Sequence, residues 1–417
     1  MVDFPDILAR KRDGKELTQS DFNLICNEIN SAHPAQLGAF AMACTINGLS
    51  ENETALLTEA MLYSGASFKQ EKGRVDKHST GGVGDKMSIV LAPALAAAGA
   101  TVPMLAGRGL AHTGGTIDKL ESIPGFNTGL TLEEMEASHC FISRQTDEIA
   151  PADSALYATR DITGTVPQIG LITSSIISKK AAEGLEKLVL DVKCGRAAFM
   201  KTEKDARELA ESMVKAGKSL SIDVCAQITR MDHPIGRYVG NAHEIFECIQ
   251  CLQGHGPDDT MELVYMQADA LGYDIRPHIK DGTALGEFRD MCVRQGVDEM
   301  VANMLIADPW SVLPKAEQEI KIHSKESGYI TDIDALLIGE YMCRLGAGRT
   351  GQEEKLDHGI GLEITFPVGS YVEEGECIAV LNIPSGADTS QLPMMYEAFK
   401  FGSVQPKHEP RLIDTVK

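Results

Sequence analysis

The stretch KHSTGGVGDK occupies residues 77–86 and stands directly before an apolar segment with helical spacing that reaches Ala98. It combines two lysines, two hydroxyl side chains, a histidine and three glycines within ten residues. Glycine lets the backbone approach a ligand closely, and ammonium, hydroxyl and backbone N–H groups all donate hydrogen bonds to anions. A helix that begins after the stretch would direct further N–H groups at negative charge. The stretch therefore predicts an anion-binding turn, although a purely structural glycine-rich turn has a similar composition.

The common nucleotide-binding loops do not fit this stretch. A P-loop has a glycine before its lysine and a hydroxyl residue after it, whereas Asp85 precedes Lys86 and Met87 follows it. The dinucleotide fingerprint fails as well, because neither Gly82-Val83-Gly84 nor Gly107-Arg108-Gly109 has a third glycine three places on. The expected anion is therefore free phosphate or a sugar phosphate.

A second glycine-rich run, AGRGLAHTGGTIDKLE, occupies residues 106–121. It follows a short apolar strand candidate at Thr101–Leu105. In open α/β sheets, ligands bind beyond the carboxyl ends of the parallel strands. This run is therefore expected to lie at the same ligand-binding edge as the first.

Both runs are long and free of gaps, and together they resemble the thymidine phosphorylase and pyrimidine-nucleoside phosphorylase family. The motifs that carry the resemblance are Lys-x-Ser-Thr-Gly-Gly-Val-Gly-Asp, from Lys77, and Gly-Arg-Gly-Leu-x-His-Thr-Gly-Gly-Thr-x-Asp-Lys-x-Glu-Ser-x-Pro-Gly-Phe, from Gly107. The resemblance extends over nearly the whole chain. It implies reversible phosphorolysis, in which a pyrimidine nucleoside and phosphate give the free base and an α-pentose 1-phosphate.

Composition limits the partners of the chain. Its 417 residues suggest two or three domains, and 39 Lys+Arg against 60 Asp+Glu give a formal charge of −21. This charge would repel nucleic acid and anionic membranes, so neither is an expected partner. There is no apolar run of 18 residues, and the first residues do not read as a signal peptide. Ten scattered cysteines favour a reducing, cytoplasmic location.

The one close cysteine pair, Cys248 and Cys251, has His243 and His255 nearby. A zinc site of the finger type needs a second pair at a matching spacing. We therefore expect a buried helix face here rather than a metal site.

The order of sequence patterns predicts an α/β fold with a small all-helical domain, a larger mixed α/β domain and a C-terminal β-rich subdomain. The helical domain is expected at 1–66, joined by about 152–183 from later in the chain. The α/β domain is expected at 70–148 and 188–322, where helical and strand patterns alternate, and the β-rich subdomain at 323–417. Ser50 and Glu53 have the spacing of a capping box before the fourth helix.

Two segments within 152–183 contain candidate base-binding residues. Ser175 and Lys179 are four apart and would share one face of a helix. With a nearby arginine, Arg160, they could read the hydrogen-bonding edge of a uracil or thymine ring. The residues alone leave another interpretation open, in which Lys179 and Lys180 are a solvated pair and Arg160 bridges Asp161 or Asp153.

The family resemblance gives roles to individual positions. It implies that phosphate is held by Lys77, Ser79, Ser88 and Thr116. It implies that the base is held by Arg160, Ser175 and Lys179 and flanked by Leu110 and Phe199. His78 is expected near O2 of the base as a hydrogen-bond donor or general acid, because a histidine pKa lies near neutrality; with Arg160 and Lys179 it forms the predicted catalytic set.

The same resemblance implies further properties of the enzyme. No cofactor is expected beyond phosphate as co-substrate, and the protein is expected to be a homodimer joined through the helical domain. Phosphate and base ligands fall in different domains, so catalysis is expected to need closure about hinges near Ser67, Ala150 and Gly184.

The chain departs from the family pattern at several positions. The family has serine where Ala106 stands, and losing one hydrogen bond to a charged ligand could cost about 1.5–3 kcal/mol. Arg196 and Ala197 interrupt a run of small residues after Lys193. Pro167-Gln168 and Gly170 replace Asp-Ser and Pro directly before the base-binding helix. The last change bears most on substrate preference.

Lys86 leads to an expectation about metals. Some bacterial relatives hold potassium with this loop and a glutamate that would correspond to Glu244. The ammonium group of Lys86 could take the place of the ion and pair with Glu244, so no metal site and no potassium dependence are expected.

Three other functions remain open from the sequence. One is a broad pyrimidine-nucleoside phosphorylase that also uses uridine. A phosphoribosyltransferase of similar fold would need acidic residues for magnesium, for which Asp85 and Asp118 are the candidates near the cradle. A non-catalytic binding protein of the same fold is the third.

Overall fold

The structure is a computed structural model that describes residues 3–109, 112–349 and 355–417. Its first half contains, in chain order, α1 (Phe4–Arg12), α2 (Gln19–Glu28), α3 (Pro34–Asn47), α4 (Glu51–Leu62), β1 (Val75–Ser79), α5 (Met87–Ala97), β2 (Val102–Ala106), α6 (Thr116–Leu120), α7 (Leu132–Ala137), β3 (Cys140–Arg144), α8 (Pro151–Thr163), α9 (Ile169–Ala182), β4 (Lys187–Cys194) and α10 (Glu203–Ser219).

The second half begins with β5 (Asp223–Arg230), β6 (Tyr238–Val239), α11 (Asn241–Leu252), α12 (Asp258–Leu271), α13 (Arg276–Lys280), α14 (Thr283–Arg294) and α15 (Glu299–Ala307). It continues with β7 (Gln318–His323), β8 (Gly328–Ile333), α16 (Ala335–Leu345), β9 (Gly361–Ile364), β10 (Tyr371–Val372), β11 (Cys377–Ile383), α17 (Pro393–Ala398), β12 (Phe399–Gly402) and β13 (Leu412–Val416).

The first four helices pack with α8 and α9 into a helical layer. Ala152 and Leu156 of α8 and Leu171 of α9 are buried in the same apolar cluster as side chains of α1 to α4. The expected capping box is present, since Glu53 N donates to Ser50 Oγ and Ser50 N donates to Glu53 Oε2. Distant parts of the sequence therefore build one layer, as the helical patterns indicate.

A mostly parallel sheet forms the centre of the α/β part. Its strands lie in the order β1-β4-β5-β13, with β1, β4 and β5 parallel and β13 antiparallel to β5. The parallel pair β2-β3 extends it through a bridge between Arg74 and Thr101. The second glycine-rich run begins at the carboxyl end of the parallel strand β2, as predicted, whereas the first begins within β1 and continues past its carboxyl end.

Two antiparallel sheets, β10-β8-β12 and β6-β9-β11-β7, form the β-rich C-terminal part. The expected fold class is confirmed. Antiparallel structure begins at Gln318, five residues before the expected boundary, because β7 is a largely exposed edge strand with a weak apolar pattern. The sheets also mix the predicted units, since β6 pairs with β9 and β13 pairs with β5. The division into three domains at the stated boundaries stays a prediction.

The strand β1 was not predicted from the sequence. Lys77, His78 and Ser79 lie on β1 rather than in the turn that follows it. Asp76, Lys77 and His78 give this strand a polar sequence, although Asp76 and Lys77 are buried. The strand β1 therefore lacks the apolar sequence pattern that is typical of a buried strand.

The expected burial of the helix face that contains Cys248 and Cys251 is confirmed. Cys248 and Cys251 are fully buried on α11, which packs in the main apolar core. Within the residues that the structure describes, His, Cys, Asp and Glu side chains form no group of three or more that could hold a metal ion. Among the helices of the described ranges, none has both the length and the apolar character that crossing a bilayer requires.

A buried lysine joins the helical layer to the α/β part. Lys180 of α9 forms ion pairs with Asp76 of β1 and with Glu183, and its Nζ also donates to the backbone oxygen of Leu105, 2.7 Å away. Burial alone would lower the pKa of Lys180, but the charges of Asp76 and Glu183 raise it. The ammonium group is therefore charged and fixes the end of α9 against the strands.

We expect Lys180→Met to lower the free energy of unfolding by about 3–5 kcal/mol, because it leaves two buried carboxyl groups without their cation. Lys215→Met is the matched control, since Lys215 pairs with Glu51 at the surface and such pairs contribute about 0–1 kcal/mol. Urea unfolding of both variants measures the difference. Equal stability of the two variants would contradict the structural role of Lys180.

Candidate functional site

Two of the four predicted phosphate ligands, Lys77 and Ser79, contact one carboxylate, and a third, Ser88, contacts Lys77. Lys77 Nζ lies 3.3 Å from Asp85 Oδ1 and 3.4 Å from Ser88 Oγ. Ser79 Oγ donates to the other carboxylate oxygen, and Gly81 N donates to Ser79 Oγ at 3.1 Å. The strand β1 thus directs an ammonium and a hydroxyl donor at Asp85, while the N–H of Gly81 in the turn and the hydroxyl of Ser88 on α5 contact those two donors.

Two more lysines add positive charge to this cluster. Burial alone would raise the pKa of Asp85, but the charges of Lys77, Lys193 and Lys119 lower it well below its usual range. Lys119 Nζ also donates to the backbone oxygen of Asp85 at 2.7 Å. Lys193 Nζ lies 2.6 Å from Asp191 Oδ2. Lys119 belongs to the second glycine-rich run and Lys193 lies on β4, and neither was predicted as a site residue.

The expected pairing of Lys86 with Glu244 is wrong. Lys86 forms its ion pair with Glu247, and its Nζ donates to the backbone oxygens of Ile235 and Tyr238 at 2.9 and 3.1 Å. Glu244 instead pairs with Lys119, at 3.0 Å. Glu244 and Glu247 are three apart on α11 and face the same side, so sequence spacing does not distinguish them.

Burial alone would lower the pKa of Lys86, but the charges of Glu247 and Glu244 raise it. The ammonium group of Lys86 is therefore charged. The absence of potassium dependence stays a prediction.

The second glycine-rich run contacts the first. A Cβ added at Gly81 would lie 3.5 Å from Thr113 Oγ1, so the two loops are in van der Waals contact. Thr116 is the first residue of α6 and lies one turn before Lys119, whose ammonium group contacts Asp85. Thr116 therefore belongs to the helix that faces the first loop. Leu110 lies outside the described residues.

The predicted base ligands lie on two adjoining helices. Lys179 Nζ donates to Ser175 Oγ at 3.0 Å, which confirms their common face on α9, and it forms an ion pair with Asp153 of α8. Arg160 of α8 is buried and donates to the backbone oxygens of Leu171 and Val166 at 3.1 and 2.7 Å. Burial lowers the pKa of Arg160.

The alternative interpretation, in which Lys179 and Lys180 are a solvated pair and Arg160 bridges an aspartate, is wrong. Lys180 is buried rather than solvated, and the side chain of Lys179 is only 18% exposed. Arg160 bonds to backbone oxygens and not to Asp161, while Asp153 pairs with Lys179. Polar side chains at this position are therefore held inward by specific partners.

His78 lies on β1 between the two groups of ligands. Burial lowers its pKa well below the usual value, and the charges of Lys180, Lys179 and Lys77 lower it further. The expected pKa near neutrality is therefore wrong. A neutral imidazole has one N–H donor and one acceptor nitrogen, so at neutral pH His78 is suited to hydrogen bonding rather than to acting as a charged acid.

Phe199 lies in the loop at residues 195–200, which follows β4. Its ring centroid is 6.3 Å from that of His112 in the second glycine-rich run, and His112 Nε2 lies 2.8 Å from the backbone oxygen of Ala197. The side chain of Phe199 is 37% exposed, which is unusual for a phenylalanine. The structure thus places this ring beside the anion-binding loops; the flanking of a base stays a prediction.

The altered segment before α9 has a structural role. Gln168 is the N-cap of α9, where its side-chain oxygen accepts a hydrogen bond from Leu171 N at 2.6 Å. Leu171 and Val166, on either side of Gln168, supply the backbone oxygens that hold Arg160. The Pro167-Gln168 change therefore affects the support of Arg160 rather than the ligand edge directly.

Comparisons with known proteins agree along the chain. The family profile described as "Glycosyl transferase family, helical bundle domain" matches residues 5–65, and "Glycosyl transferase family, a/b domain" matches residues 71–284. "Pyrimidine nucleoside phosphorylase C-terminal domain" matches residues 329–400. In the solved structures, anthranilate phosphoribosyltransferase from Thermus thermophilus is similar with a TM-score of 0.51 and 15% identity, over 72% of this chain and 98% of that one. That likeness concerns the fold alone.

The similarity to curated proteins is closer. Human thymidine phosphorylase is 42% identical over 398 residues, which cover 89% of this chain and 83% of that protein. Pyrimidine-nucleoside phosphorylase of Geobacillus stearothermophilus is 40% identical over 432 residues, covering 98% of each chain. The chain belongs to the family of thymidine and pyrimidine-nucleoside phosphorylases.

Proposed function

We propose that the chain is a pentosyltransferase that catalyses the reversible phosphorolysis of pyrimidine nucleosides, with thymidine and related deoxynucleosides as preferred substrates. The products are the free base and 2-deoxy-α-ribose 1-phosphate. The observation that carries the proposal is the position of His78 on β1, between a cluster of anion donors and the pair Ser175–Lys179. Family membership supports the same reaction.

On the phosphate side, Lys77, Ser79, Ser88 and Thr116 would bind phosphate. Lys77 and Ser79 already donate to Asp85, which has the negative charge that they would otherwise direct at a ligand, and Ser88 contacts Lys77. Charged hydrogen bonds of this kind contribute about 1.5–3 kcal/mol each. No cofactor is part of the proposal.

On the base side, Arg160, Ser175 and Lys179 would bind the pyrimidine. Uracil and thymine have two carbonyl acceptors with one N–H donor between them. Lys179 and Arg160 can donate to the oxygens, and Ser175 can accept from the ring N–H. Leu110 and Phe199 would flank the ring.

The reaction needs positioned phosphate and a stabilised leaving group. A phosphate oxygen attacks C1′ on the face opposite the base, the C1′–N1 bond breaks, and the base departs with the bonding electrons as an anion. The transition state has oxocarbenium character, and fixed donors lower its energy because they need no reorganisation. The cationic side chains of Lys179 and Arg160 would stabilise the leaving base, and neutral His78 would donate to O2.

Closure between the helical layer and the α/β part is included in the proposal. The three segments that contain the predicted hinges are adjacent. Ala66 N donates to Glu148 O at 2.6 Å, and Phe68 N donates to Ala182 O at 2.8 Å. Ala150 has a φ of +46° and Gly184 a φ of +70°. Short connections with such backbone angles are suited to absorbing a hinge rotation.

The contacts of Asp85 and Asp118, the two candidate magnesium ligands, do not favour a phosphoribosyltransferase. Asp85 is engaged by Lys77 and Ser79, and Asp118 by Arg108 and Arg349. Magnesium would have to compete with these cations for its ligands. A non-catalytic role is tested by the assay below.

The proposal also includes a homodimer joined through the helical layer, in the cytoplasm. Met42 and Ile46 lie four apart on α3, and their side chains are 40% and 74% exposed. Large apolar side chains that share an exposed helix face are typical of contacts between subunits.

The first test is release of free base from thymidine, deoxyuridine and uridine, followed by ultraviolet absorbance with and without phosphate. We expect phosphate-dependent release of thymine and uracil from the two deoxynucleosides and slow release from uridine. Equal rates with uridine would make the chain a broad pyrimidine-nucleoside phosphorylase. Absence of base release from all three would contradict phosphorolysis and favour the binding protein.

The second test concerns His78. We expect His78→Gln to lower kcat/KM for thymidine by less than about 10-fold, because glutamine keeps an N–H donor, whereas loss of a general acid costs about 10²–10⁴-fold. The pKa of His78 lies well below 6.5, so the imidazole stays neutral as the pH falls from 8 to 6.

The ratio of wild-type to His78→Gln kcat/KM should therefore be constant between pH 6 and 8, and titration of phosphate itself cancels in this ratio. A ratio that rises about tenfold on acidification would show that the imidazolium form is the active one and would refute the hydrogen-bonding role.

The third test concerns closure. Small-angle scattering with phosphate and free thymine, a pair that does not react, should show a smaller radius of gyration than either ligand alone gives. Unchanged scattering with both ligands would favour catalysis at a rigid site.

A further inference from the structure

The loop at residues 195–200 is tied to the C-terminal part of the chain by one arginine. Arg196 Nη1 and Nη2 donate to the two carboxylate oxygens of Asp332 at 2.8 and 2.7 Å, and Nη1 lies 3.3 Å from Asp334 Oδ2. The Arg196 backbone N–H donates to Asp232 Oδ1 at 2.9 Å. A bidentate pair of this kind fixes both distance and orientation.

The acidic partners are themselves held in place. Asp334 is the N-cap of α16, where Oδ1 accepts from Leu336 N and Leu337 N at 2.9 and 3.1 Å. Asp332 lies on β8 and also contacts His233 Nδ1 at 3.1 Å. Burial alone would raise the pKa of Asp332, but the hydrogen bonds from His233 and Arg196 lower it well below its usual range. The carboxylate is thus charged at neutral pH.

The other end of the loop reaches the predicted nucleoside site. His112 Nε2 lies 2.8 Å from Ala197 O, and the His112 and Phe199 rings are in contact. The helix α16 lies behind the same residues, because a Cβ added at Gly339 would lie 2.5 Å from His112 O and 2.8 Å from Val83 Cγ2. Arg196 therefore connects the loop to the start of α16, and both the loop and α16 contact His112.

Other contacts of the loop would not replace this link. Ala197 N donates to Met231 O at 3.1 Å and Gly195 N donates to Met200 O at 3.0 Å, so these bonds hold the backbone of the loop but do not involve the ring of Phe199. Gly195 has a φ of +126°, and a Cβ there would lie 2.7 Å from Asp232 Oδ2, so the chain turns sharply next to the arginine. The arginine side chain is the described ionic link between this loop and β8.

We propose that Arg196 is a positioning residue for the nucleoside: through Asp332 and Asp334 it holds the loop so that Phe199 faces the base. The inference rests on the proposed phosphorolysis. It assigns a role to a residue that interrupts the small-residue run of the family. The arginine does not contact the reacting atoms, so its effect is on nucleoside binding.

The test compares Arg196→Ala with Arg276→Ala. Arg276 forms a similar bidentate pair with Asp269 on the surface, at 2.8 Å for both bonds, and lies outside the predicted site. We expect Arg196→Ala to raise the KM for thymidine about 5–20-fold, while kcat and the KM for phosphate change less than twofold. All three constants should change less than twofold in Arg276→Ala.

Arg196→Lys supplies a second comparison. Lysine keeps the positive charge but lacks the bidentate geometry. We expect its KM for thymidine to lie between those of the wild type and Arg196→Ala. An unchanged KM for thymidine in Arg196→Ala, or equal increases in the KM for thymidine and phosphate, would overturn the proposal.

Hydrogen exchange separates this inference from the proposed function. Amides of Gly195, Ala197 and Ala198 are hydrogen-bonded within or next to the loop. A peptide that covers residues 195–200 should exchange about tenfold faster in Arg196→Ala than in the wild type or Arg276→Ala. If exchange is faster in Arg196→Ala but the wild type shows no phosphorolysis, Arg196 holds the loop and the proposed function is wrong. Unchanged exchange would overturn the anchor whatever the activity.

Discussion

The contact between Lys180 and Asp76 links the two halves of the site. Lys180 follows Lys179 on α9, and Asp76 precedes Lys77 on β1, so one ion pair joins the helix of the predicted base ligands to the strand of the predicted phosphate ligands. His78 lies two residues after Asp76 and is influenced by the charges of Lys180, Lys179 and Lys77. Its neutral state follows from burial among cations.

The site concentrates positive charge in a chain whose formal charge is −21. Four lysines of the site each have a neighbouring carboxylate: Asp85 lies beside Lys77, Asp191 beside Lys193, Glu244 beside Lys119 and Asp153 beside Lys179. Unpaired buried charges would cost several kcal/mol each. Pairing with carboxylates offsets the cost of holding these lysines inside the protein.

Much of the fold could be predicted because local patterns agree with it. The spacing of Ser175 and Lys179 indicated a common helix face, and the burial of Cys248 and Cys251 followed from an apolar helix pattern without a second metal-ligand pair. The strand β1 was not predicted because two of its buried residues, Asp76 and Lys77, are charged. The strand therefore lacks the apolar sequence pattern that is typical of buried strands. Glu247 was missed as the partner of Lys86, since Glu244 on the same helix face satisfies the spacing equally well. The roles of Lys119 and Lys193 depend on contacts between distant segments, which spacing alone does not reveal.

The pairing of β13 with β5 has a consequence for biosynthesis. Val416 lies opposite Ala226, so the outer edge of the parallel sheet is completed only by the last strand of the chain. Synthesis proceeds at about 5–20 residues per second, so β5 waits roughly 10–40 seconds for its partner on the ribosome. During that interval its unpaired N–H and C=O groups form an open template for strands of other nascent chains. The length of chain between β5 and β13 therefore sets how long the edge of the newly made sheet stays open.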